Sequence, residues 1–193
     1  MAAEIDFYFD YMSPFSYLAD TQLPALARRT GAKIAYRPVH LFAVFESTGN
    51  APPIAVAAKR KYYREDIPRW ARRYGVPWNL NSHFPFNPLR LMRGAIAAQQ
   101  QGRFEALHPL AFRAMWVEGQ NLGDKDVVNA LLAQAGVDPA AVETDSIASL
   151  LKASTEEAVR RGAFGVPTFF VGDQMFWGND RLDFVEEAVR AEK

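Results

Sequence analysis

The stretch FYFDYMSPFSYLAD, residues 7–20, carries the signal that decides the fold. It lies across the end of an aromatic run, residues 5–11, which is short and apolar enough to predict a buried strand. Ser13 and Pro14 follow as the N-cap and first-turn residues of a helix. The stretch therefore predicts a strand that turns directly into a helix, with a serine hydroxyl at the junction.

The segments on either side extend this pattern. The first helix is expected to continue past a kink at Pro24, and residues 33–39 predict a second strand, parallel to the first. Two short aromatic strands are predicted between residues 167 and 178, where a Gly-Asp turn separates them. A final helix follows, and Asn179 or Asp180 is expected to cap it.

The predicted order of elements is β-α-β, a long helical segment, and then β-β-α. This α/β order is typical of a thioredoxin-like domain with a large all-helical domain inserted in its middle. The thioredoxin-like domain is expected to comprise residues 1–41 and 163–193, and the inserted helical domain residues 42–162. A length of 193 residues suits one such domain with an insertion.

The composition argues against several classes of protein. Lys plus Arg equals Asp plus Glu at 22 each, and this balance argues against a nucleic-acid binder. The absence of cysteine excludes disulfides and dithiol redox chemistry, and three widely spaced histidines give no metal-binding motif. No apolar run approaches the roughly 20 residues of a membrane span, and no secretory signal is recognisable at the start. We therefore expect a cytoplasmic protein that contains no metal.

Ser13 occupies the place where thioredoxin-like redox enzymes carry the first cysteine of C-x-x-C. A hydroxyl at a helix N-terminus favours a bound anion, and a thiolate supplied from outside is the natural candidate. Lowering a thiol pKa by two units requires about 2.7 kcal/mol. A charge-assisted hydrogen bond and a helix end supply about that much together. The alternative is that Ser13 serves only as a helix cap.

Two further motifs come from the C-terminal part. A cis peptide bond at Val166-Pro167 would present the backbone of Val166 to a peptide-like thiol, whereas a trans bond would merely open an edge strand. Asn179 and Asp180 stand at a predicted helix start. There the Asp180 carboxylate would bind an α-amino group and helix N–H groups an α-carboxylate, as a γ-glutamyl group needs. The alternative is a simple helix cap.

The motifs SPFSYL, GVPTFFV and MFWGNDRL, together with TGNAPP, resemble the 2-hydroxychromene-2-carboxylate isomerases and the related kappa-class glutathione transferases. The resemblance covers essentially the whole chain. It implies a thioredoxin-like fold with a helical insertion, a glutathione site between the two parts, and a homodimer. By motif, Ser13 is implied as the catalytic residue placed against the glutathione sulfur. The residues implied for glutathione binding are Ser13, Phe15, Asn50, Lys59, Val166, Pro167, Asn179 and Asp180.

Two segments of the insertion contain further candidate residues for ligand binding. The loop HFPFNP contains His83 and Asn87, which are candidates for contact with an aromatic substrate, unless the loop is only capped and packed by its aromatic rings. The predicted helix that follows TGNAPP in the sequence is rich in Lys and Arg between residues 59 and 73. Only Lys59 receives a role from the resemblance, and the other basic residues are expected to form a solvated face.

The resemblance implies an isomerase of aromatic catabolism, for example of naphthalene. Such an enzyme interconverts 2-hydroxychromene-2-carboxylate and trans-o-hydroxybenzylidenepyruvate by reversible thiolate addition, with glutathione recycled. One alternative is a kappa-type transferase or peroxidase that consumes glutathione. Another is a non-catalytic thioredoxin-like binding protein, which would not need the set Asn50, Lys59, Asn179 and Asp180.

Overall fold

Four short segments rich in aromatic residues form one sheet in the computed structural model, which describes residues 3–192. The strands are β1 (Glu4–Phe9), β2 (Lys33–Pro38), β3 (Thr168–Val171) and β4 (Gln174–Trp177). Their order across the sheet is β2-β1-β3-β4. β2 runs parallel to β1, whereas β3 runs antiparallel to both β1 and β4.

The central strands are buried on both faces. Phe7 stacks on Phe169 at 5.2 Å between ring centroids, and both rings belong to the larger apolar cluster. Their neighbours Tyr8 and Phe170 meet edge to face at 5.6 Å and belong to a second cluster. Successive side chains of a strand point to opposite faces, so burial on both sides explains why this segment is apolar without alternation.

Helices cover both faces of the sheet and form the long middle segment. In the described residues they are α1 (Pro14–Asp20), α2 (Leu23–Thr30), α3 (Leu41–Thr48), α4 (Ala57–Tyr74), α5 (Leu89–Gln100), α6 (Phe104–Trp116), α7 (Lys125–Gln134), α8 (Asp145–Arg160) and α9 (Leu182–Ala191). α3 to α8 all lie between β2 and β3 in sequence. The fold is therefore thioredoxin-like with a helical insertion, as predicted.

The apolar core does not stop at the predicted domain boundary. The larger cluster contains residues of β1 and β3 and also residues of α5 to α8. Phe9 of β1, for example, packs on Phe112 of α6 at 6.0 Å between ring centroids. The division into residues 1–41 with 163–193 and residues 42–162 stays a prediction.

The first strand and the first helix end earlier than the sequence pattern suggested. β1 ends at Phe9 because the carboxylate of Asp10 accepts the backbone N–H groups of Met12 and Leu41, which turns the chain. The single kinked helix is instead α1 and α2, separated at residues 21–22. Pro24 lies in the first turn of α2, where its missing N–H breaks no hydrogen bond.

The predicted cap of the final helix was wrong. A short 3-10 helix, Asn179–Arg181, precedes α9, and no side chain caps the first turn of α9. The amide of Asn179 instead donates to the hydroxyl of Tyr74 at 3.4 Å. The Asp180 carboxylate forms an ion pair with Arg181 at 2.6 Å. Both polar side chains are thus engaged in other contacts.

Across residues 3–192, none of the helices combines the length and the apolar character needed to span a membrane.

One stability prediction concerns Trp116, which joins the helical insertion to the turn that carries Ser13. Its ring is fully buried, and its Nε1–H donates to the carbonyl oxygen of Tyr11 at 2.9 Å. Trp116→Phe should lower the free energy of unfolding by about 1–3 kcal/mol, since the buried carbonyl loses its donor. Trp78 stacks on Trp116 at 5.0 Å, and no hydrogen bond of its indole is recorded in the described residues.

Trp78→Phe is therefore the matched control for Trp116→Phe. Urea denaturation of the two variants and the parent protein measures the difference. Equal losses in the two variants would show that the Trp116 hydrogen bond contributes nothing beyond ring packing.

Candidate active site

A cavity of about 1090 Å³ opens beside the turn between β1 and α1. Its walls come from that turn, from α3 and α4, from residues 78–85, and from the segment before β3. Ligand pockets in proteins usually measure about 300–1,000 Å³. The cavity therefore has room for more than one small molecule.

Ser13 lies in the wall of this cavity at the N-terminus of α1. Its Oγ accepts the backbone N–H of Ser16 at 3.1 Å, so the hydroxyl does cap the helix. The hydroxyl also donates to the carbonyl oxygen of Val166 at 3.4 Å, which is a long hydrogen bond. Only 4% of Ser13 is exposed. A ligand in the cavity can therefore accept the hydrogen bond of the Ser13 hydroxyl in place of the Val166 carbonyl oxygen, to which that bond is weak.

Val166 contacts Ser13 although the two residues lie 153 positions apart in the sequence. The Val166–Pro167 peptide bond is cis, as the sequence led us to expect. Val166 and Gly165 line the cavity beside Trp177, whose indole contacts the ring of Phe164 at 5.0 Å between centroids. The serine hydroxyl and the backbone before the cis proline thus share one end of the cavity.

Asp10 stabilises this end of the cavity through hydrogen bonds to two residues that line it. It is fully buried, and its two carboxylate oxygens accept from Met12 N at 2.9 Å and Leu41 N at 3.0 Å. Met12 and Leu41 themselves line the cavity. Burial raises the pKa of Asp10 to about 7, although the two backbone hydrogen bonds act in the opposite direction. Asp10 therefore ties the turn before α1 to the start of α3.

The predicted site residues divide into two groups. Those that line the cavity are Ser13, Phe15, Asn50 and Val166. Those absent from its lining are Lys59, His83, Asn87, Pro167, Asn179 and Asp180. Asn50 also connects two walls, because its amide donates to the carbonyl oxygen of Phe164 at 2.8 Å. The 3-10 helix that holds Asn179 and Asp180 packs against α1, so these residues lie near the site without facing the cavity.

The loop residues His83 and Asn87 do not face the cavity either. The side chain of Asn87 accepts the backbone N–H of Leu89, the first residue of α5, at 3.0 Å. The cavity is lined instead by neighbouring residues of the same loop, among them Asn81, Phe84 and Pro85. Substrate contact by His83 or Asn87 stays a prediction.

Two arginines that the sequence led us to expect only on a solvated face line the cavity. They are Arg60 and Arg64 of α4, whereas Lys59 is absent from the lining. The missed signal was helical spacing, since Arg60 and Arg64 share a face with the buried Ile67 and Ala71.

Aromatic side chains form much of the remaining wall. Trp78 and Trp116 both line the cavity and stack with an interplanar angle of 20°. Phe15 meets Tyr63 edge to face at 5.2 Å, which joins α1 to α4 at the cavity wall. Such surfaces bind flat apolar rings through offset or edge-to-face contacts.

Comparisons with known proteins agree with this architecture. The chain matches the DSBA-like thioredoxin domain over residues 4–190. It is 38% identical to the 2-hydroxychromene-2-carboxylate isomerase of Sphingobium xenophagum, over 96% of this chain and 97% of that protein. It is 23% identical to glutathione S-transferase kappa 1 of Rattus norvegicus, over 94% of this chain and 88% of that protein.

A solved structure of a 2-hydroxychromene-2-carboxylate isomerase superposes with a TM-score of 0.84 at 32% identity. The match covers 97% of this chain and 95% of that one. Because the sequence and structural matches extend over nearly all of both chains, they concern the whole fold, including the turn at Ser13 and the helical insertion. The chain therefore belongs to the 2-hydroxychromene-2-carboxylate isomerase family, within the DSBA-like thioredoxin fold.

Proposed function

We propose that this protein is a glutathione-dependent isomerase that interconverts 2-hydroxychromene-2-carboxylate and trans-o-hydroxybenzylidenepyruvate, or a closely related aromatic carboxylate. The observation that carries the proposal is the position of the Ser13 hydroxyl in the cavity wall, beside the backbone of Val166. Membership of the isomerase family supports the same reaction. The cytoplasmic location, the homodimer and a role in aromatic catabolism are parts of this proposal.

The residues around the cavity fit glutathione, which carries a net negative charge at neutral pH. No Asp or Glu among the described residues lines the cavity, whereas two arginines do. Ser13 offers a hydroxyl, and Val166 offers backbone groups next to a cis proline, as a cysteinyl unit would require. Asn50 adds an amide at another wall. Lys59, Asn179 and Asp180 stay predicted contacts for the two ends of glutathione.

Bound glutathione supplies a thiolate that adds reversibly to the carbon–carbon double bond of the substrate, which allows rotation about that bond. Ser13 favours the ionised thiol by donating its hydroxyl hydrogen to the sulfur. A hydrogen bond to a charged group contributes about 1.5–3 kcal/mol, which corresponds to a fall of about one to two units in the thiol pKa. α1 has only seven residues, so the hydroxyl matters more here than the helix dipole.

The remaining volume of the cavity accommodates the aromatic substrate. Its ring would pack on the indole of Trp78, which is only partly buried, and this leaves the charged end free to point toward α4. The apolar wall also keeps water away from the reacting carbon atoms, which strengthens the electrostatic contacts in the site. The residues that line the cavity therefore support the binding of both reactants there.

S-methylglutathione tests whether the thiol itself is required. It retains the peptide of glutathione but cannot ionise at sulfur. We expect it to bind to the protein in isothermal titration calorimetry and to inhibit turnover competitively with glutathione, without supporting any turnover itself. The total glutathione concentration should stay constant during turnover, because an isomerase recycles the thiol. Turnover with S-methylglutathione would contradict the proposal, and consumption of glutathione would favour a kappa-type transferase.

A further inference from the structure

The charge of the cavity comes from two side chains only. Among the described lining residues, Arg60 and Arg64 are the sole charged ones, and the other polar side chains there are neutral. Both arginines are exposed and lie in the first half of α4. The cavity therefore presents two positive charges and no negative charge to any ligand.

Neither guanidinium is neutralised within the described part of the chain. The two acidic residues of α4 have other partners: Glu65 pairs with Arg69 at 2.9 Å, and Asp66 accepts from Tyr62 at 3.2 Å. No ion pair or side-chain hydrogen bond of Arg60 or Arg64 is recorded in residues 3–192. A pair of cations without counter-ions on an apolar cavity wall is suited to an anionic ligand.

The spacing allows both guanidinium groups to act on one anion. Residues four apart lie on the same face of a helix, with Cβ atoms about 5–6 Å apart. The planar, delocalised guanidinium matches the geometry of a carboxylate, which it can bind through two parallel hydrogen bonds. The partly buried indole of Trp78 lines the same cavity. The cavity thus offers both an indole and two guanidinium groups to a flat ring that bears a carboxylate.

We propose that Arg60 and Arg64 bind the carboxylate of the aromatic substrate and make the cavity selective for anionic over neutral electrophiles. This inference rests on the proposed function, because it names the residues that choose the substrate of that reaction. It also distinguishes the protein from a general conjugating transferase, which would gain nothing from a charged substrate end. Glutathione has two carboxylates of its own, so the test must separate the two ligands.

Binding of unreactive probes tests the inference without any turnover. trans-Cinnamate and trans-cinnamamide have the same shape and differ in charge. Isothermal titration calorimetry would measure the Kd of each probe, and of glutathione, for the parent protein and for Arg60→Gln, Arg64→Gln and the double variant. The matched control is Arg72→Gln, which removes the same charge from an exposed position of α4 that does not line the cavity.

We expect cinnamate binding to weaken by about three- to tenfold in each single variant, and further in the double variant. Cinnamamide binding should change less than twofold, and Arg72→Gln should behave like the parent. Arg64→Lys should retain part of the affinity, since the charge stays while the two-pronged geometry is lost. Equal losses for cinnamate and cinnamamide would overturn the inference. A loss confined to glutathione would overturn it too, because the pair would then serve the cofactor.

The kinetic arm keeps this inference separate from the proposed function. If the parent protein equilibrates the carboxylate substrate, the double variant should raise KM for it and leave KM for its methyl ester nearly unchanged. Absence of turnover in the parent would remove the isomerase assignment but leave the cinnamate selectivity testable by calorimetry. If the parent enzyme is active and the double variant binds cinnamate as tightly as the parent does, only the assignment of the two arginines is contradicted.

Discussion

Ser13→Ala is expected to lower glutathione-dependent turnover at pH 7 by about eight- to 25-fold. The variant loses the hydroxyl that we propose donates to the glutathione sulfur, a hydrogen bond that contributes about 1.5–3 kcal/mol and lowers the thiol pKa by about one to two units. From an ordinary thiol pKa of about 8.5, that shift raises the thiolate fraction at pH 7 by about the same eight- to 25-fold. Steady-state kinetics with saturating glutathione measures the effect directly.

The pH profile separates this role of Ser13 from a structural one. If Ser13 lowers the pKa of the bound thiol by one to two units, the variant should need a higher pH to form the same fraction of thiolate. Its rate should therefore approach that of the parent above about pH 9, where a thiol of ordinary pKa, about 8.5, is mostly ionised. A rate deficit that is constant across the pH range would instead indicate a misplaced ligand.

Ser16→Ala is the matched control for Ser13→Ala. Ser16 lies three positions further along α1 and is fully buried, and its Oγ has no hydrogen-bond partner in the described residues. Ser16 also does not line the cavity. Its replacement should leave kinetics and pH profile unchanged. Ser13→Ala should in addition lose about 1 kcal/mol of stability as a helix cap, which thermal denaturation would detect.

The second large effect is expected at Asp10, through the pH dependence of folding. The carboxylate is fully buried, and burial raises its pKa from 3.8 to about 7 in the folded protein. Between about pH 4 and pH 7 the folded protein therefore holds a proton that the unfolded chain has released. Stability from this group is fully present below pH 4 and is lost as the pH rises toward 7. A shift of about three units corresponds to roughly 4 kcal/mol as an upper bound.

Asp10→Asn removes this titration while keeping a polar side chain of the same shape. The free energy of unfolding of the parent, measured relative to the variant, should fall by several kcal/mol between pH 4 and pH 8. Urea denaturation at a series of pH values would show this, with Asp173→Asn in the exposed turn after β3 as the control. A parent–variant difference that does not change with pH would contradict the raised pKa.

The sequence predicted those parts of the fold that depend on local chemistry. The junction at Ser13 and Pro14 could be located because a strand pattern meets a helix cap. Proline chemistry only permits the cis bond at Val166-Pro167, which was expected because of its place before a strand of a thioredoxin-like fold. The break between α1 and α2 could not be located, since Pro24 suits either a kink or a first turn. The cap expected at Asn179 or Asp180 was wrong because Asn179 makes a tertiary contact with Tyr74 and Asp180 pairs with its neighbour Arg181.

The candidate site was less predictable than the fold. Arg60 and Arg64 share a helical stripe with Ile67 and Ala71, so spacing alone could have indicated that they lie on the cavity side of α4. Asp10 left no comparable signal. Its significance depends on complete burial and on a hydrogen bond from Leu41, 31 residues away in sequence. Contacts of that range are set by tertiary packing, which a local pattern does not contain.

The most direct test of the proposed function follows the absorbance of trans-o-hydroxybenzylidenepyruvate with dialysed protein, with and without added glutathione. We predict equilibration with 2-hydroxychromene-2-carboxylate only when protein and glutathione are both present. Absence of any change with both present would contradict the isomerase assignment. Full turnover by the dialysed protein without glutathione would contradict the role given to Ser13.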